Sequence, residues 1–220
     1  NEVEVGYKKI SKNVYGFDFD ESQIGDKTVV IDPVPVRLWG TYYANDVSSS
    51  TMNLITDSAN NVYISGSTYS STNVATAGTH LSVFSSEQSC FFAKIAGNGV
   101  RVWGTYYSVQ GNSMIIDHDF NLLIVGTLFY DEFNVVSANC YQPVKNALDE
   151  MYVVKLNSMG VREWGPYYGG TGNDSSQAVA IDSFNNIYFG GQSTSVTSSL
   201  TTPGSFQENG ISGGGILIKF

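Results

Sequence analysis

The sequence predicts an all-β protein. Its main part reads as β-propeller blades, each a four-stranded antiparallel sheet, about three blades of a larger or incomplete propeller behind a short N-terminal β segment. Three observations carry this reading. A segment of pattern VRxWGxYY occurs three times, as VRLWGTYY at 36–43, VRVWGTYY at 100–107 and VREWGPYY at 161–168, and it holds every tryptophan of the chain, Trp39, Trp103 and Trp164. The spacing is steady: Trp39 to Trp103 is 64 residues and Trp103 to Trp164 is 61, and self-similarity at a fixed period marks a repeat architecture. No segment sustains a 3.6-residue apolar period, which excludes a helical solenoid.

Residues 1–35 read as the tail of a preceding β domain plus a linker. Charge is crowded here, with Glu2, Glu4, Lys8, Lys9, Lys12, Asp18, Asp20 and Glu21 close together. Three short strands are expected, at 2–10, 13–19 and 27–31, the middle one from its alternation in VYGFDF. The run DPVP at 32–35 then breaks pairing, because proline donates nothing to a ladder.

From residue 36 the repeats follow, at about 36–99, 100–160 and 161–220. Each opens with its tryptophan strand. A second strand is expected at 53–57, 113–117 and 178–182. It runs into the turns DSANN, DHDFN and DSFNN, which begin at Asp57, Asp117 and Asp182. Asp opens such turns by accepting from backbone N–H groups, and Asn tolerates the left-handed conformation. The third strand, at 62–66, 122–126 and 187–191, ends in Gly66, Gly126 and Gly191. In LLIV at 122–125 both faces are apolar, as suits a strand covered on both sides. A long Ser/Thr/Asn-rich connection leads to the fourth strand, at 91–95, 152–156 and 216–220. Four short antiparallel strands per repeat is the layout of a propeller blade. Closing a ring takes ~4–8 blades, so the repeats are expected to continue beyond Phe220 or to be completed by partner chains.

The combined pattern of WGxYY, then DSxNNxYxxG, then TPGxFQ, then an apolar strand holding a lysine is written out in full by the third repeat, at 164–168, 182–191, 202–207 and Lys219. Over residues 36–220 it resembles the SBBP family, the bacterial β-propeller repeat of secreted and surface proteins. The resemblance implies an extracellular or cell-surface setting, often reached by type IX secretion, and no catalytic residues. The middle repeat departs from the pattern in its loops, with NCYQ at 139–142 and no glycine pair after its YY.

Composition narrows the partners. Only 14% of residues are charged, against roughly 25% in ordinary domains. The net charge of −9 comes without any Lys/Arg cluster, which argues against nucleic acid and an anionic membrane surface. No run approaches the ~18 apolar residues of a membrane helix. Expected partners are other blades or domains of a longer chain, other surface proteins, or glycans. Cys90 and Cys140 lie at non-equivalent repeat positions and read as two buried thiols, a disulfide being the alternative.

Candidate chemistry is sparse. Asp117 and Asp119, in the turn DHDFN, and Asp174, closing GGTGND at 169–174, are candidate calcium ligands. They fall short of the six or more oxygens of a calcium cage, so no cofactor is expected. His80 reads as a packing residue. Glu163 and Asp174 are the thinkable carboxylate pair of a propeller-framed hydrolase or lyase, but nothing in the repeat brings them together, and the chain reads as a non-enzyme. Lys94, Lys155 and Lys219 recur within apolar strands and are expected to reach solvent or a turn carboxylate. Tyr69, Phe129, Tyr130 and Phe133, in the long connections, are candidates for an adhesive or carbohydrate-binding surface. The expected function is a non-catalytic scaffold or interaction module. Trp103 is expected to pack between blades.

Overall fold

The computed structural model describes residues 4–12, 14–24, 37–44, 48–84, 89–109, 111–128, 135, 137–196 and 200–220. The chain divides into two compact units, Asn1–Leu38 and Trp39–Phe220. In the first unit β1 (Val5–Ser11) and β2 (Val14–Phe19) form an antiparallel hairpin. Tyr7 and Phe17 meet across it with ring centroids 5.3 Å apart. A 3-10 turn at Glu21–Gln23 is capped by Asp20, whose carboxylate accepts from Ser22 N at 3.0 Å. The strand expected at 27–31 lies outside the described residues.

The second unit is all-β, with antiparallel sheets and, among its described residues, no α-helix. The first sheet has the order β3 (Ser49–Thr56), β4 (Val62–Thr68), β5 (Ser89–Ile95), β6 (Arg101–Tyr107). The second has β7 (Gly111–Ile116), β8 (Leu122–Leu128) and β9 (Glu150–Leu156), edged by β10 (Arg162–Trp164) and β11 (Tyr167–Tyr168). The third has β12 (Asp174–Ile181), β13 (Ile187–Ser193) and β14 (Gly214–Lys219). Pro166 separates β10 from β11. It has no N–H to give, and prolines in sheets are confined to such edges.

The sheets are offset from the sequence repeats by one strand. The tryptophan strand at 100–107 pairs with β5 of the preceding repeat, with Lys94 opposite Trp103 and Phe91 opposite Tyr106. The strand at 161–168 does the same with β9, with Lys155 opposite Trp164 and Tyr152 opposite Tyr167. The cause is the short turn before each. Ala96 N donates to Val100 O at 2.8 Å and Gly99 takes φ 85°; Asn157 N donates to Val161 O at 2.8 Å and Gly160 takes φ 77°. A tight turn makes neighbours of the strands it joins. The first copy corrects the expectation further: its described residues, 37–43, form no strand and have no ladder partner among the described residues.

Each first strand bulges at the same place, at 51–53, 111–113 and 176–178. Opposite the bulges stand Gly66, Gly126 and Gly191. A Cβ on Gly66 would collide with Ser50 O, and one on Gly191 with Ser175 O.

Two apolar layers join the sheets. Phe92, Trp103 and Tyr107 of the first sheet meet Leu122, Ile124 and Val154 of the second. Leu123, Val125 and Val153 on the second sheet's other face meet Ile187, Phe189 and Ile218 of the third. Each such side chain contributes about 1.5–3 kcal/mol when fully buried. The first strands also touch: Asn53 Nδ2 donates to Gly111 O at 3.1 Å and Asn112 Nδ2 to Ser176 O at 2.8 Å. Along β6, residues 103–107 are buried, whereas Val102 and the preceding Val100 are exposed. Cys90 and Cys140 are not joined in a disulfide, and each is half-buried rather than fully buried.

Candidate functional site

The VRxWGxYY segments act between sheets. Trp103, on β6, sends its indole N–H to Ser158 O at 2.8 Å, in the turn that follows β9 of the next sheet. Its ring lies against Gly160, where a Cβ would come within 2.8 Å of it. Trp39 repeats this on the first sheet, donating to Gly97 O at 3.0 Å and covering Gly99. The second tyrosine of each segment makes the other contact. Tyr43 donates to Val74 O at 2.7 Å, Tyr107 to Val135 O at 2.7 Å and Tyr168 to Leu200 O at 2.6 Å, each in a long connection. Burial disfavours the phenolate of Tyr43 and Tyr168 and pushes both up to about 12, so they stay donors. Trp164, on β10, is half-buried against the layer between the second and third sheets.

The same segments are held from behind by their own sheet. Thr76 donates its N–H to Gly104 O at 2.8 Å and accepts from Gly104 N on Oγ1 at 3.1 Å. Ser137 repeats the pair with Gly165 at 2.8 and 3.2 Å. Five residues further along each connection, Leu81 O and Gln142 O accept from Tyr106 N and Tyr167 N, both at 2.9 Å.

The Asp turns are closed hydrogen-bonding units. Asp117 Oδ1 accepts from Asp119 N at 2.9 Å and Asn121 N at 2.8 Å, and Oδ2 from Asn121 Nδ2 at 2.9 Å. Asp57 and Asp182 repeat this with Asn61 and Asn186. Lys155 reaches Asp117 at 3.0 Å and Glu163 at 3.7 Å, and Lys94 reaches Asp57 at 3.8 Å. Lys219 instead lies over the Tyr188 ring, 5.3 Å from its centroid. Burial opposes ionisation of Asp57 and Asp117, but the Asn side-chain and backbone donations and the lysines outweigh it and hold both carboxyls below the usual range. Asp182 is held down to about 2, chiefly by the Asn186 amide. Asp119 Oδ2 takes Asn185 Nδ2 at 3.2 Å, which ties this turn to the next sheet's turn.

Asp174 is fully buried at the start of β12. It accepts from Gly170 N at 2.7 Å, from Ser195 Oγ at 3.2 Å and from Ser193 Oγ. Its carboxylate neighbour is Glu150, not Glu163. A Cβ on Gly169 would stand 2.7 Å from Glu150 Oε1 and 2.8 Å from Asp174 Oδ2. Glu150 accepts from Asn146 N at 2.7 Å and from Gln142 Nε2. Burial, helped by the Asp174 charge, pushes the Glu150 carboxyl up. A recess of about 310 Å³ lined by Tyr141, Asn146, Tyr168 and Leu200 lies nearby, and neither carboxylate lines it. The pair therefore works as a polar joint between the second and third sheets. Sequence reasoning missed Glu150 because it is not repeated: Ser89 and Gly214 take its place in the other sheets.

Among the described residues no group of three or more His, Cys, Asp or Glu is placed to hold a metal ion. Tyr69 is half-exposed, whereas Phe129, Tyr130 and Phe133 lie outside the described residues. His80 packs on Tyr107, ring centroids 5.3 Å apart, and Tyr141 holds the matching place on Tyr168 at 5.8 Å. A groove of about 640 Å³ runs along β14, lined by Thr202, Phe206, Gln207, Gly215, Leu217 and Lys219 among others. No protein-family model matches the chain, and no curated protein matches it.

Proposed function

We propose that residues 39–220 are three β-propeller blades of the SBBP kind, serving as a non-catalytic interaction scaffold of a secreted or cell-surface bacterial protein. The observation that carries the reading is the recurrence of one inter-sheet contact at one sequence motif. Trp39 and Trp103 each cap the turn of the following sheet, and Tyr43, Tyr107 and Tyr168 each bind the following connection. Identical steps between successive sheets generate a ring or a superhelix. The first strands β3, β7 and β12 are bonded to one another through Asn53 and Asn112, which supports a common axis with these strands innermost.

The polar groups support a structural reading as well. Asp57, Asp117, Asp182, Glu150 and Asp174 are all engaged by donors within the fold. A second reading, a glycan-binding surface, draws on exposed aromatics such as Tyr69 and Tyr141. A glycan-binding screen separates the two. The scaffold reading expects no saturable binding; saturable binding that is lost in Tyr69→Ala would replace it with the glycan reader.

A further inference from the structure

The chain holds two Asn-Gly pairs, Asn98-Gly99 and Asn209-Gly210. This dipeptide has a chemistry of its own. The backbone nitrogen that follows an asparagine can close a five-membered ring on the side-chain carbonyl carbon. Glycine leaves that nitrogen unshielded, because it has no side chain and its backbone turns freely. Whether the ring closes depends on how the backbone is held, and the two pairs are held in opposite ways.

Asn98-Gly99 is locked. It lies in the tight turn between β5 and β6, where Gly99 N donates to Ala96 O at 2.8 Å and Gly99 takes φ 85°. Asn98 Oδ1 accepts from Val100 N at 3.1 Å. The Trp39 ring covers Gly99, where a Cβ would come within 3.1 Å of it. The attacking nitrogen and the amide it would attack are both engaged elsewhere.

Asn209-Gly210 is not held in this way. It lies in the connection between β13 and β14, and both residues are exposed. Asn209 is bonded through its backbone, its carbonyl accepting from Gln207 Nε2 at 3.0 Å. Neither the Asn209 side-chain amide nor Gly210 N has a hydrogen-bond partner among the described residues. The exposure belongs to the position. Nine residues beyond Val74, Val135 and Leu200, whose carbonyls take the tyrosine hydroxyls, stand Val83, Val144 and Asn209. Val83 and Val144 are 74% and 69% exposed in the other two sheets. Glycine has a packing reason to stand at 210, since a Cβ there would come within 2.8 Å of Ser195 O.

We propose that Asn209 is a site of spontaneous covalent modification, converted by water to aspartate and isoaspartate. Gly210 N gives its proton to solvent base and forms a bond to Asn209 Cγ. The Cγ–Nδ2 bond breaks, and ammonia leaves with a proton taken from water. Water then opens the cyclic imide. Attack at Cγ restores the ordinary backbone as aspartate; attack at the backbone carbonyl carbon leaves the chain running through the side chain as isoaspartate. Either product adds one negative charge to the net −9 of the chain, beside Glu208 in an exposed connection.

The test is peptide mapping by mass spectrometry of the folded 220-residue chain during storage at mildly alkaline pH, beside the same chain in denaturant. The expected result in the folded chain is the amide-to-acid mass gain at Asn209, as two chromatographic isomers. It should be at least about tenfold faster than at Asn98, which must wait for its turn to open locally. In denaturant the two sites should react at similar rates. Asn209→Gln lengthens the side chain and disfavours the ring, so the leading acidic form on ion exchange should disappear at unchanged circular dichroism. No mass gain at Asn209 overturns the proposal, as does equal reaction at both sites in the folded chain. A rate difference that persists in denaturant, or a leading acidic form that persists in Asn209→Gln, overturns it as well.

Discussion

At the scale of single residues, the carboxylates divide into two groups with opposite effects. Asp57, Asp117 and Asp182 have folded pKa values below their unfolded ones. The stability they contribute is present above about pH 4. It is lost as the pH falls through the folded values, about 2 for Asp182. Glu150 runs the other way. Its folded value is raised, so the folded state takes up its proton first and the fold gains as pH falls toward the unfolded value. The expected melting profile is level or rising from pH 7 to about 5 and falls below about 4. In Glu150→Gln any rise should vanish while the acid fall remains. A fall already under way between pH 7 and 5 would contradict the assignment.

At the scale of elements, the bulge and its glycine form one device in the first and third sheets. An extra residue in β3 or β12 pushes a backbone carbonyl toward the facing strand, and the position opposite must lack a Cβ, whereas a Cβ on Gly126 would meet the Tyr152 side chain of β9. Gly191→Ala would meet Ser175 O and should cost about 3 kcal/mol in denaturant unfolding. Gly204→Ala meets nothing within 4 Å but sits at φ 83°, so about 1 kcal/mol is expected. Equal costs would contradict the collision. The strands themselves were legible in the sequence, since alternation and the DSxNN turns mark them. Their pairing differs from the repeat phase at one step: the four-residue turns before Val100 and Val161 make each tryptophan strand pair backward with the strand that precedes it, whereas a repeat that opens on its tryptophan places that strand at the head of the next sheet. The Glu150–Asp174 joint was not legible, because a lone acid at the head of an apolar strand gives no sign of which donors will surround it.

At the scale of the molecule, stability depends on one repeated step between sheets. The apolar layer from Tyr63 and Trp103 to Leu156 is continuous, so the sheets should melt together as long as the tryptophan clamp is intact. The two clamps differ in depth: Trp103 is 3% exposed and Trp39 is 40% exposed. The central claim is that WGxYY joins sheets and does not bind a ligand. Its most direct test is the unfolding free energy of Trp103→Ala against the parent chain. The expected result is a loss of about 3–5 kcal/mol with a broader, less cooperative transition. An unchanged free energy and a single sharp transition would contradict the account.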